Sequence, residues 1–232
     1  MAISVDKVYQ TVLVLANKEQ RGYITPQEFN LIAPQAQMEI FEQYFYDKNQ
    51  TDRNLKNSTE FSNIDEMLDE KISIFKTRQS VPMAGAGGTL PENLYRLGAV
   101  VSNNIEIEQV PESGFFHSNT NQTFLTHYDS AYPINYSYIR PSFFQIQTFP
   151  PLNTVYCSYI RKPKTPQWTY VVVNEKALYN PNNRTQDFEI HDSDEVELVY
   201  KILSLAGIVI AKPGLGTYAD QQIMNQKTQE KQ

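Results

Sequence analysis

The segment Asn17 to Phe29, NKEQRGYITPQEF, spaces Gly22, Ile24 and Glu28 like the central glycine, the next apolar position and the closing glutamate of an EF-hand loop. Calcium also needs side-chain oxygens at the early liganding positions, and these hold Asn17, Glu19 and Arg21. Arg21 brings a positive charge and no oxygen, and DKNQTDRN from Asp47 supplies no partner loop. The same residues make a helix corner. Gly22 ends one helix, Thr25 caps the next, Pro26 fits its first turn, and Glu28 returns to the Thr25 amide as a capping box.

Other chemistry-bearing residues fall into no catalytic pattern. His117, His127 and His191 have no metal-ligand spacing. Cys157 stands alternately with apolar residues in TVYCSYIR, as a packing residue would, and becomes a nucleophile only if a histidine approaches it. AGAGG (Ala84 to Gly88) lacks the Gly-Lys-Ser/Thr ending of a phosphate loop and reads as a hairpin tip. Asp65-Glu66 and Asp194-Glu195 fall in first helical turns, where the helix dipole accounts for them. Arg161-Lys162-Pro163-Lys164 with Trp168 is the one basic-aromatic stretch, read as a guarded strand end followed by an aromatic anchor rather than a nucleic-acid platform. The expectation is a non-enzyme without metal or cofactor.

Composition limits the partners. A net charge of −6 disfavours gripping phosphate, though an acidic wall suits DNA that must pass without sticking. The single cysteine excludes an internal disulfide. Neither a secretion signal nor an apolar run of about 18 residues is visible, so no membrane partner is expected and the three Asn-x-Thr sequons read as polar loops. The 15 tyrosines suit protein interfaces or sugar stacking, and both readings stay open.

These residues need elements to hold them. Val5, Val8, Val12 and Leu15 form a helical stripe, followed by Phe29, Ile32, Ala36, Ile40, Phe41, Tyr44 and Phe45, with Pro34 expected to kink the second helix or delay its start. Ser62 and Asp65 suggest a cap before Ile64, Met67, Leu68, Ile72 and Phe75. The period then shortens in LYRLGAVV, IEIEQV, FFQIQTF and TVYCSYIR, which read as antiparallel strands. Asp192 is placed to cap a last helix with Val196, Val199, Leu203, Ala206 and Ile210 inward, stopped by Pro213 and Gly214.

The expected fold is α+β: residues 1–80 form the N-terminal helical part of a bundle, 81–175 a β-rich antiparallel lobe, 176–214 the C-terminal helix completing the bundle, and 215–232 a polar tail. In the tail, Tyr218, Ile223 and Met224 are the candidate partner-binding residues, since a helix over 219–227 would gather apolar side chains toward one face.

The ordered segments LANKEQRGYITPQEFNLIAPQAQMEIFEQYF, DEKISIFK, LPENLYRLGAV, YIRKPKTPQWTY and FEIHDSDEVELVYKILSLAGI together resemble ring, or head-to-tail connector, proteins of crAss-like and related short-tailed bacteriophages. The resemblance spans most of the chain and is weakest in ESGFFHSNTNQTFLTHYDSAYPINY and after Gly214. It implies a virion structural protein, assembled in the host cytoplasm, that forms a dodecameric ring below the portal. Its partners would be copies of itself, the portal and other ring or tail proteins, with double-stranded DNA crossing the lumen unbound. It carries over no catalytic or metal-binding residue. A carbohydrate-binding tail module, acting through exposed tyrosines, is the alternative.

Overall fold

The computed structural model of the chain describes residues 3–18, 23–53, 59–85, 87–102, 105–109, 136–140, 145–149, 152–209, 221 and 224. They show an α+β protein. Helices α1 (Val5–Lys18), α2 (Pro26–Arg53) and α3 (Thr59–Ser73) precede strands β1 (Lys76–Ala84), β2 (Gly87–Thr89), β3 (Leu94–Ser102), β4 (Ile105–Gln109), β5 (Tyr136–Arg140), β6 (Gln145–Phe149) and β7 (Thr154–Arg161). The hairpin β8 (Tyr170–Val173) and β9 (Lys176–Tyr179) and helix α4 (Glu195–Val209) follow. Two compact units result, one of residues 75–162 and one uniting 1–74 with 163–232.

The helical unit draws the N-terminal helices together with the segment from residue 163 to α4. Ile3 exchanges backbone hydrogen bonds with Phe188 at 3.1 and 3.0 Å, and Val5 N donates to Asp187 Oδ1 at 2.9 Å. Lys7 of α1 reaches Glu195 of α4 at 2.7 Å, and Lys201 of α4 reaches Glu39 of α2 at 3.2 Å. Val5, Val8, Val12, Phe29, Ile40, Phe41, Leu198, Ile202 and Leu203 are buried, as the helical stripes require. The bundle boundaries fall at 74/75 and 162/163, so Trp168 and the β8–β9 hairpin belong to the helical unit.

Several expectations change in detail. Helix α2 runs unbroken through Pro34, so that residue marks no late start. Helix α3 begins at Thr59, which puts Ser62 inside it rather than at its cap. Met67 and Val196 lie on solvent faces, at 58% and 53% exposure, because Met67 is one position off the row that buries Leu68 with Ile72 and Val196 two positions off the row that buries Leu198 with Ile202. His191, not Asp192, caps the short 3-10 turn Asp192–Asp194 that leads into α4. Gly22, Ile210, Pro213 and Gly214 lie outside the described residues.

The second unit is a closed barrel of seven strands in the order β1-β2-β6-β5-β4-β3-β7, with β7 returning to β1. Its pairings are antiparallel except β4 with β5, which run parallel. The alternation in TVYCSYIR allows both of its sides to be covered, but one side alone is buried: Val155, Cys157 and Tyr159 pack with Val81, Leu90, Val100, Ile107 and Ile146, while Tyr156 faces out. Ala84 and Gly87 pair across the AGAGG tip, where Gly85 takes φ +68°.

Candidate assembly surface

The β8–β9 hairpin starts from an aromatic anchor. Trp168 is buried, and its indole Nε1 donates to Asp6 Oδ1 at 2.9 Å. The Asn30 side chain takes the Trp168 amide and donates to the Trp168 carbonyl, both at 2.9 Å, so α2 pairs with this backbone as a strand would. Tyr9 packs on the indole at a centroid distance of 4.4 Å, and Tyr170 and Tyr179 stack on it at 5.6 and 5.8 Å. Tyr170 and Tyr179 are themselves a registered pair, which fixes the first rung of the hairpin.

Beyond that rung the hairpin is apolar and exposed. Val171 pairs with Leu178, Val172 with Ala177 and Val173 with Lys176. Val171, Val172, Val173 and Leu178 are 48%, 64%, 48% and 51% exposed. Valine suits the pleated backbone but gains its stability from burial, which these four side chains have only in part in the single chain. The two-stranded sheet ends in Asn174 and Glu175, both left-handed at φ 50° and 64°, the geometry of a type I′ turn. Such a strand pair offers open backbone edges to another chain.

The tail candidates are represented by Met224 alone. It is helical and 71% exposed, and Gln221 one turn before it is helical too. Tyr218 and Ile223 lie outside the described residues.

The reactive residues are held in structural roles. Cys157 is buried in the barrel, where desolvation pushes its thiol up to about 11 and disfavours the nucleophilic thiolate at neutral pH. Ser193 Oγ lies 2.9 Å from His191 Nδ1 and 3.1 Å from Asp194 Oδ1, yet both contacts converge on the serine. A nucleophilic triad needs the carboxylate on the imidazole instead. Asp194 is 1% exposed, is paired with Lys71 at 2.7 Å and accepts a hydrogen bond from the Tyr44 hydroxyl. Burial, then the Asp194 charge, raises the Tyr44 hydroxyl pKa far above its usual range.

Sequence reasoning assigned Asp194 to the helix dipole and missed this cluster because its partners are remote in sequence. His117 and His127 lie outside the described residues. The basic stretch resolves into packing contacts: the Arg161 guanidinium lies over the Phe75 ring at 5.8 Å, and Lys164 N donates to Glu189 Oε2 at 2.8 Å. Trp168, being buried, offers no stacking platform. Among the tyrosines, Tyr9, Tyr44 and Tyr159 are core residues, while Tyr23, Tyr46 and Tyr156 are exposed. Among the described residues, no group of three His, Cys, Asp or Glu side chains is placed to hold a metal ion, and no helix is long and apolar enough to cross a membrane.

No family model matches the chain, and no curated protein matches it.

Proposed function

We propose that this protein is a structural subunit of a phage head-to-tail connector, assembling as a ring of identical copies below the portal in the virion. The single observation that carries the reading is the β8–β9 hairpin. It holds four exposed aliphatic side chains on a base locked by Trp168, and burial against a neighbour is what such a surface gains by assembly. The helix, barrel, helix order agrees with the resemblance, since the barrel is an excursion from a bundle to which α1, α2, α3 and α4 all contribute.

The charge distribution suits a conduit. Residues outside the barrel unit include 21 Asp and Glu against 14 Lys and Arg, a balance that keeps duplex DNA from adhering. The tail residues Tyr218, Ile223 and Met224 are assigned to contact with the portal or an adjoining ring.

Native mass spectrometry of the purified chain, with and without portal protein, tests the reading. A closed ring, formed alone or templated by portal, is the expected result, and deletion of residues 216–232 should reduce docking while leaving the melting temperature unchanged. A chain that stays monomeric in both conditions, or that binds duplex DNA tightly and salt-sensitively, overturns it.

A further inference from the structure

The barrel carries a face of the opposite sign to the rest of the chain. Residues 75–162 contain six Lys and Arg against five Asp and Glu, although the whole chain is at −6. The excess is concentrated on three adjacent strands: β1 (KTRQSVPMA), β7 (TVYCSYIR) and β3 (LYRLGAVVS) hold Lys76, Arg78, Arg96 and Arg161 and no acidic residue.

Register places three of these cations on one side. Directly paired residues of neighbouring strands share a face. Ile160 pairs with Lys76 on one flank and Arg96 on the other, Ser158 pairs with Arg78, and Tyr156 pairs with Ser80 and Val101. Because Val155, Cys157 and Tyr159 point into the barrel, this set points out, and Lys76, Arg78 and Arg96 are exposed. Tyr156 is 45% exposed, with the Arg78 guanidinium 5.1 Å from its ring centroid, which fixes the cation over an aromatic plate. At Gly98 a Cβ would come 2.9 Å from the Ser158 carbonyl, so glycine permits the close strand approach and leaves a shallow place beside Ser158.

The complementary surface lies on α3. Glu66 and Glu70 are exposed one turn apart, with Met67 58% exposed beside them. Their separation along a helix is about 6 Å. Lys76 and Arg78, two residues apart on a strand, are separated by about 7 Å. A helix laid along β1 can therefore set both carboxylates against both cations, with the flexible Met67 side chain entering beside Ser158 and Gly98.

We propose that the outer face of β1, β7 and β3 is the docking surface for α3 of a second copy of this chain. This rests on the ring reading and names a contact between copies in addition to the hairpin. The two patches differ, so every copy offers one of each, and the contact is heterologous: it passes from copy to copy and closes when the rotation allows. Charge complementarity sets the register, while Tyr156, Ile160 and Met67 supply apolar contact.

The test uses the full chain under the conditions in which it assembles, with portal present if portal is needed. Lys76→Glu/Arg78→Glu and Glu66→Lys/Glu70→Lys should each fold normally by circular dichroism and assemble at least about tenfold more weakly. Mixed together they should regain assembly, since each restores an opposite-charge pairing with the other. In a mixture of isotopically light and heavy wild-type copies, a carbodiimide should join Lys76 of one copy to Glu66 or Glu70 of another.

Assembly of either double variant as strongly as the wild type overturns the docking and leaves the ring reading standing. Salt-sensitive binding of single-stranded DNA that the Lys76→Glu/Arg78→Glu variant loses, without mixed-isotope links, overturns it in favour of nucleic acid. A wild-type chain monomeric in every arm overturns both. Mixed-isotope links in open-ended chains that never close keep the docking and remove the ring.

Discussion

Lys71 of α3 and Asp194 at the entry to α4 are paired at 2.7 Å, with the carboxylate 1% exposed and the ammonium-bearing side chain 14% exposed. Asp194 also accepts from the Tyr44 hydroxyl, so three helices meet at one charge. Lys71→Met removes the cation and leaves that carboxylate buried. The expected loss is about 3 kcal/mol, at the lower end for breaking a buried pair because the Tyr44 bond survives. Urea denaturation of the variant measures it, and a loss below about 1 kcal/mol would show that the pair is solvated.

The Lys7–Glu195 bridge ties α1 to α4, which lies beyond residue 191. Truncation before Asp192 should therefore unfold the N-terminal helices, because α2 would lose the apolar face of Leu198, Ile202 and Leu203. Far-ultraviolet circular dichroism of residues 1–191 provides the check, and a cooperative helical melt in that fragment would contradict the composite unit.

Thr25 and Glu28 form the reciprocal capping box: Thr25 N donates to Glu28 Oε2 at 2.8 Å and Glu28 N donates to Thr25 Oγ1 at 3.3 Å. Thr25→Ala should cost about 1 kcal/mol. The Thr25 backbone bond, then its hydroxyl, lowers the Glu28 pKa. Its contribution is therefore present above the ordinary glutamate range and fades as pH falls through the lowered value, which acid titration of wild type against Glu28→Gln would resolve. Millimolar calcium should leave the melting temperature unchanged, since Glu28 is committed to this cap.

Local signals were legible in the sequence wherever one element settled its own geometry. The capping box, the shared face of Val155, Cys157 and Tyr159, the AGAGG tip and the burial of Val199, Leu203 and Ala206 all follow from nearest-neighbour rules. Long-range partners were not legible. Nothing near Asp194 announces Lys71, and nothing in YVVV shows that its base stacks on Trp168 while its valines stay exposed. Strand β1 was hidden as well: KTRQSV is polar because one side of it faces solvent and the closure of the barrel, not its own pattern, makes it a strand.

Cys157 offers a reporter of the barrel. Burial raises its pKa from 9.0 to about 11, so between those values the unfolded chain loses a proton that the native chain retains. Stability from this group is complete below pH 9 and falls toward pH 11, by up to about 3 kcal/mol. The tyrosines Tyr9 and Tyr44, also raised, add a loss of the same sign at higher pH. Comparison of wild type with Cys157→Ala across this range isolates the thiol, and thiol-reagent labelling at pH 8 should be slow in the native protein and fast in denaturant. Rapid native labelling would mean that the barrel opens readily.

The hairpin separates stability from assembly through two substitutions only a few residues apart. Glu175 sits at φ 64°, where a side chain with a Cβ is strained and glycine is not. Glu175→Gly should therefore stabilise the monomer by about 1 kcal/mol, as Asn-Gly is the favoured type I′ pair, and should not weaken assembly. Val172, 64% exposed, has little burial to lose in the monomer, so Val172→Asp should leave the melting temperature nearly unchanged. In a ring the same side chain would be covered, and a buried, unpaired carboxylate there should weaken assembly by at least about tenfold. Calorimetry and native mass spectrometry on both variants read the two effects independently. Full assembly of Val172→Asp would remove the hairpin from the interface, whereas lost assembly with an unchanged melt would place it there.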